Sequence, residues 1–319
     1  MKLVIAILAL LPVAAFAQET VTESDDTFVV ERDNVEIAPA TGIQITELEI
    51  DNRLGDITII GRDQPGISLA VVKRAPDEET LERLKVNLVP DPSGVVRISS
   101  ALLVGEEMKA MAAGSVRIDI QVHVPRSVAA RARAWHGKLG VTGMENGADV
   151  TAHDGDIVVT NVKGAVVSRS MRGRQQLSEV NGSVTADDTF GDLALDGITG
   201  ESLAARVHRG TVTATRIRSQ SVTITTTFGD IHFRGELAAG GRYELRSFRG
   251  NVDARSTSPF EVEASSRDGR VEPLLALDAM TREGRRVTGR AGSWRSAGKP
   301  PVLVLSSTAG SVTFGLTSE

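Results

Sequence analysis

A chain of 319 residues with no cysteine, a formal net charge of −5 and 3% aromatic residues excludes disulfide stapling and attachment of lipid to a cysteine. Its stability must come from burial and backbone hydrogen bonding, in a core of small and β-branched side chains. The length allows one elongated or two compact domains.

The chain opens with Lys2, runs apolar from Leu3 to Leu11 and then meets Pro12 and the small-residue site Ala15, Phe16, Ala17. This is the order of a secretory signal peptide, residues 1–17, with cleavage between Ala17 and Gln18. A spanning helix needs about twenty apolar residues, and this run breaks at Pro12. No second run of that length follows, so no transmembrane segment is expected in the mature chain. The reading is an exported protein, in the periplasm or extracellular at the cell surface, with a mature charge of −6 once Lys2 is lost. Charge is uneven: residues 18–162 hold 14 Lys and Arg against 24 Asp and Glu, whereas residues 163–290 hold 19 against 16.

Residues 18–135 read as a β-rich head. Ile43, Ile45 and Ile50 mark one strand, and Ile57 and Ile59 another. A short helix is predicted from Pro76 to about Val86, with Asp77, Glu78 and Glu79 in its first turn and Leu81 and Leu84 on its buried side. Val116, Ile118, Ile120, Val122 and Val124 then alternate with polar residues, as a half-buried strand does. The head is expected to be a mostly antiparallel sheet that merges into the repeat.

Residues 136–275 carry that repeat. Gly155, Gly164, Gly173, Gly182, Gly191 and Gly200 fall nine apart, and Gly210, Ser219 and Gly229 continue with one-residue slips. Apolar residues follow each glycine at offsets two, four and seven, as in Ile157, Val159, Val162 and Leu193, Leu195, Ile198. Offsets two and four share one face of a strand, and the step of three requires a bend, for which glycine supplies a free backbone. Ser168, Gln175 and Ser202 break the apolar rule. Such units can form an up-and-down meander or a solenoid in which each residue stacks on one about eighteen later. The segment Thr189 to Leu193 recurs as Thr227 to Ile231, 38 residues on, which favours a solenoid of coils of about 18–19 residues. The fold class is therefore all-β, a single-chain β-solenoid of about seven coils. Its open edges need caps: the head at one end and, within residues 276–319, two last strands at Val302–Leu305 and Gly310–Leu316 behind a Gly- and Arg-rich loop.

An export signal, a head ending in an alternating strand and His123, Val124, Pro125, and units such as Gly155 to Val159 and Gly229 to Phe233 together resemble the "putative adhesin" β-strand-repeat family of bacterial exported proteins, a domain of unknown function. The resemblance implies a β-solenoid body and a surface or envelope location. It carries no catalytic residues.

Calcium-binding β-rolls place aspartates in their turns, but here the residue after glycine varies through Asp156, Ala165, Arg174, Ser183, Asp192 and Glu201. The histidines His123, His136, His153, His208 and His232 have no short ligand spacing. No metal, cofactor or nucleic-acid partner is expected. At coil spacing the positions before glycine read Asp154, Arg172, Phe190, Arg209, Phe228 and Arg249, of which the last five are the candidate binding face. Stacked, they would present planar donors and aromatic faces to acidic glycans or a partner protein, or simply pack the corner. The reading is a non-enzymatic, monomeric envelope or surface protein that binds or scaffolds a partner protein or polysaccharide. The alternative is a carbohydrate-active β-helix enzyme, a hydrolase or lyase, using Asp187, Asp188 and Asp192.

Overall fold

A computed structural model describes residues 16–24, 28–37, 44–102, 116–294 and 299–317. Residues 1–15 of the expected signal peptide, and Ile43 of the first expected head strand, lie outside them; the Ala17–Gln18 junction falls within the first strand. The chain divides into two compact units, Met1–Lys163 and Gly164–Glu319. No helix among the described residues is long and apolar enough to cross a membrane.

The first unit contains β1 (Phe16–Ser24), β2 (Val29–Ile37), β3 (Glu47–Leu54), β4 (Ile57–Arg62), β5 (Ile67–Ala75), α1 (Glu78–Arg83), β6 (Leu84–Pro90), β7 (Val95–Leu102), β8 (Arg117–Pro125), β9 (Ala129–His136), β10 (Leu139–Thr142), β11 (Ala148–Asp154) and β12 (Ile157–Lys163). Its centre is parallel, not antiparallel as expected. β3 pairs in parallel with β7 and β9, and β4 with β8 and β10, so the coil β3–β4 lies between β7–β8 and β9–β10. The reason stands in the sequence: Gly55, Asp56, Ile57, Thr58, Ile59 is a repeat unit like Gly155, Asp156, Ile157, Val158, Val159, standing 82 residues ahead of Gly137. Ile57, Leu139 and Ile157 stack in register and all are buried. The antiparallel strands flank this centre, with β1 on β2, β2 on β5, β5 on β8, and β6 on β7.

Helix α1 is shorter than predicted. Asp77 caps it by accepting from the Thr80 amide at 2.7 Å, and it stops at Leu84, where Leu84, Val86 and Leu88 take up the two-residue alternation of a buried strand. Between β2 and β5 the wholly buried Lys73 ammonium lies 2.8 Å from Glu31 and 3.4 Å from Asp33, the pairing a buried charge requires.

The second unit contains β13 (Val166–Arg172), β14 (Gln175–Asn181), β15 (Val184–Phe190), β16 (Leu193–Arg209), β17 (Val212–Phe228), β18 (Ile231–Gly235), β19 (Arg242–Arg249), β20 (Val252–Ser256), β21 (Phe260–Ser266), β22 (Val271–Pro273), β23 (Asp278–Glu283), β24 (Arg286–Ala291), β25 (Val302–Ser307) and β26 (Val312–Leu316). Parallel, in-register pairing makes it a solenoid. Val184, Leu203, Val222, Tyr243, Leu303 and Val262 form one inward ladder, and Leu177, Leu195, Ala214, Phe233, Ala254 and Phe314 another. Ser168 and Gln175 are buried polar members of this lining. Ser202 is not inward; the one-residue slip puts Leu203 there instead.

The glycines answer mainly to stacking. A Cβ on Gly191 would stand 1.9 Å from the Gly173 carbonyl oxygen, and one on Gly210 would stand 1.8 Å from that of Gly191. The chain bends at the glycines, and a further bend lies six residues after them, where Glu179, Gly197 and Arg216 are left-handed with φ of 51°, 65° and 52°.

The last strands do not cap the fold as expected. β25 is paired on one side with β19 and on the other with β21, and β26 lies between β20 and β22. Leu303, Leu305, Val312 and Phe314 are core residues, so these strands need a neighbour on each side. β24 lies antiparallel along β21, followed by β23, whose side chains are all exposed, as suits an outer strand.

Candidate functional site

At the glycine corner of the second unit, register pairs Arg172 with Phe190, Phe190 with Arg209, Arg209 with Phe228, and Phe228 with Arg249. The five residues singled out from spacing are thus consecutive rungs of one column. The Arg209 guanidinium carbon lies 5.8 Å from the Phe190 ring centre and 5.7 Å from that of Phe228. That of Arg249 lies 5.5 Å from Phe228 and 6.0 Å from Phe248.

Sequence reasoning missed the column beside it. Met171, His208 and Phe248 stand two before their glycines, and the chain turning the corner exposes both columns. His208 meets Phe190 and Phe228 edge-on, at 6.1 and 5.5 Å. Phe190 is 39% exposed and Phe248 50%, so the corner is an apolar and cationic ridge. The signal was available: the same coil spacing, read one position earlier.

The arginines of the unit divide into paired and unpaired: away from the ridge, Arg234, Arg267, Arg270, Arg282 and Arg285 form no ion pair among the described residues, while others do. Arg206, Arg216, Arg218, Arg242, Arg246 and Arg255 each meet a carboxylate. Arg209 and Arg249 form no ion pair among the described residues. Aromatic faces orient a guanidinium while leaving its in-plane donors open, and those donors match a carboxylate.

The aspartates of the enzyme alternative do not converge. Asp187 lies 3.5 Å from exposed Arg206, while its neighbour Asp188 points into the core and is 5% exposed. Asp192 Oδ1 accepts from the Thr211 amide at 2.9 Å, and Asp230 Oδ1 accepts from the Asn251 amide at 2.6 Å. A carboxylate after glycine thus caps the next coil's backbone. One groove of about 560 Å3 is lined by residues including Glu179, Arg216, Arg234 and Glu236, and another of about 650 Å3 by residues including Leu237, Pro259 and Trp294; neither reaches these aspartates. In the first groove Arg216 already meets Glu179 and Asp196, which holds the Asp196 carboxyl below its usual range, chiefly through its hydrogen bond with Arg216.

In the first unit, stacking brings together histidines far apart in sequence. His136 and His153 lie 3.5 and 3.2 Å from Asp154, and Trp135 stacks on His153 at 5.7 Å. Among the described residues no group of three or more His, Cys, Asp or Glu side chains is placed to hold a metal ion.

Three solved structures are similar at low identity. A "putative adhesin" from Bacteroides fragilis NCTC 9343 is 11% identical, covering 91% of this chain and 98% of its own, with a TM-score of 0.42. A "putative cell adhesion protein" from Clostridium sporogenes ATCC 15579 is 9% identical over 90% and 100%, at 0.27. A "putative lipid binding protein" from Parabacteroides distasonis ATCC 8503 is 12% identical over 89% and 96%, at 0.36. No curated protein matches the chain. The family model described as Toastrack DUF4097 matches residues 20–297, which takes in both units, the repeat and the ridge. The chain belongs to the Toastrack DUF4097 family.

Proposed function

We propose that this is an exported, non-enzymatic binding protein of the cell envelope that holds an acidic ligand along the ridge from Arg172 to Arg249. The observation that carries the reading is the pair Arg209 and Arg249, cations backed by phenyl rings with no carboxylate partner among the described residues. A purely structural corner gains from arginine stems covering apolar surface, but it gains nothing from leaving guanidinium edges open beside exposed rings. The spread of aspartates to opposite strand faces supports binding over hydrolysis.

The test is retention of the purified chain, without residues 1–17, on immobilised acidic and neutral polysaccharides. Retention on the acidic supports alone is expected, with loss when Arg172, Arg209 and Arg249 are all changed to Glu. Binding unaffected by the triple reversal would remove the ridge as the site.

A further inference from the structure

Resting on that reading, we infer that the ridge is built for a linear polysaccharide running across the coils with one carboxylate on every second sugar. Arginine alternates with phenylalanine, so Arg172, Arg209 and Arg249 recur every two coils, roughly 10 Å apart at the spacing of paired strands. Two linked pyranose rings of an extended polysaccharide advance by a similar distance. Uronate carboxylates would meet the edges of Arg209 and Arg249, while the apolar face of the intervening sugar lies on Phe228. A polymer charged at every sugar would set half its carboxylates over phenyl rings, where no donor meets them.

The probes are hyaluronan, with a uronate at every second sugar; polygalacturonate, with one at every sugar; carboxyl-reduced hyaluronan; and single-stranded DNA. Titration calorimetry is expected to give hyaluronan at least tenfold tighter binding than the other three, with Arg209→Gln weakening it at least fivefold. If polygalacturonate equals hyaluronan, the spacing argument is overturned while the acidic-ligand reading stands. If DNA binds best, the ligand class is overturned. If no acidic polymer binds, the ridge reading itself fails.

A separate observation concerns the inward column at this corner. Asp188, Val207, Thr226, Ser247, Ser307 and Ser266 stack in register. The hydroxyls donate to the glycine carbonyl of the adjacent coil: Ser247 to Gly229 at 3.0 Å, Ser307 to Gly250 at 2.8 Å and Ser266 to Gly310 at 2.8 Å. Asp188 Oδ1 stands where those hydroxyls stand, 3.1 Å from the Cβ position of its following glycine, against 3.0 Å for both Ser247 and Ser307. It is buried and has no hydrogen-bond partner. Oδ2 accepts from Gln175 Nε2 at 2.9 Å, and Gln175 Oε1 accepts from Ser168 at 2.6 Å.

A carboxylate oxygen cannot donate; a carboxylic acid can. We propose that Asp188 is a neutral acid in the fold, its Oδ1 proton directed at the Gly173 carbonyl, and that its ionisation loosens the corner carrying Arg172 and Phe190. The groups facing it are Ser170 on β13, Gln175 on β14 and Val207 on β16, all uncharged, with Asp187 and Asp192 on its own coil. Burial, reinforced by the Asp192 charge against the Gln175 and Phe190 hydrogen bonds, pushes its carboxyl up to about 6. The folded chain therefore keeps a proton that the unfolded chain has released. Stability from this site is complete below the ordinary aspartate range and falls as pH rises through about 6.

Carboxyl 13C NMR of the intact chain should show Asp188 titrating at least one pH unit above the other aspartates. In Asp188→Ser, which restores a hydroxyl to the column, the midpoint difference from wild type should change steadily between pH 4 and pH 7, in favour of the variant at high pH. An Asp188 titration in the ordinary range would overturn the proposal even if the variant failed to fold. A pH-independent difference would overturn it as well.

Discussion

Two corners of the second unit's coil treat the same residue types in opposite ways: the left-handed bend and the corner at Gly191 and Gly210. At the left-handed bend, Arg216 bridges Glu179 and Asp196, and its charge is consumed within the chain. At the glycine corner, Arg209 and Arg249 stand between phenyl rings with no ion pair among the described residues. A coil has to turn at both places, so turning alone does not explain the difference. It separates a corner finished by its own side chains from one left open to something outside the chain.

The backbone gives the sharpest way to break this contrast. Gly210→Ala puts a Cβ 1.8 Å from the Gly191 carbonyl oxygen at φ 153° and should cost about 3 kcal/mol or more. Gly197→Asn at the other bend, with φ 65°, suits a residue tolerant of that conformation and should cost about 1 kcal/mol or less. Denaturant midpoints with unchanged slopes measure both, and equal losses would show that the glycine corner is not held by stacking.

The next contrast is in pH, with opposite signs. Asp196 is held low by Arg216, so its stabilisation is present above the ordinary aspartate range and lost as pH falls through the lowered value. Asp188 works the other way. Thermal midpoints of Asp196→Asn should approach wild type on acidification, whereas those of Asp188→Ser should gain on wild type as pH rises.

Smallest in stability, and largest in binding, are the arginines themselves. Arg209→Gln should shift stability by no more than about 1 kcal/mol, the scale of an exposed cation–π contact, yet weaken the acidic ligand. Arg216→Gln should leave ligand binding unchanged, with a small midpoint loss that salt removes. If Arg216→Gln weakened binding as much as Arg209→Gln, the two corners would not be distinct in function.

Much of the glycine corner was legible beforehand. Arg172, Phe190, Arg209, Phe228 and Arg249 could be aligned because parallel coils return each residue to the same place at a nearly constant period. His208 and Phe248 obey that period and were overlooked because only the position before glycine was read. Gly55 to Ile59 escaped for a different reason: intervening strands separate it from its stacking partners, and periodicity cannot see across an insertion. The inward turn of Asp188 was equally hidden, since Asp187 and Asp188 read alike until the strand's phase places one outside and one inside.

By itself the sequence determined the period and the faces of the repeat and favoured parallel stacking there, because these follow from local alternation and from glycines that tolerate a neighbouring carbonyl. Only the tertiary structure decided the order of the coils, setting β3–β4 between β7–β8 and β9–β10, and β25–β26 between β19–β20 and β21–β22. A strand pair that matches the repeat fits against any open edge of the stack, and which edge it takes is fixed by long-range closure that no local pattern records. The same holds for charge: every arginine looks alike along the chain, and only the fold gives Arg216 its carboxylates and leaves Arg209 and Arg249 with aromatic faces alone.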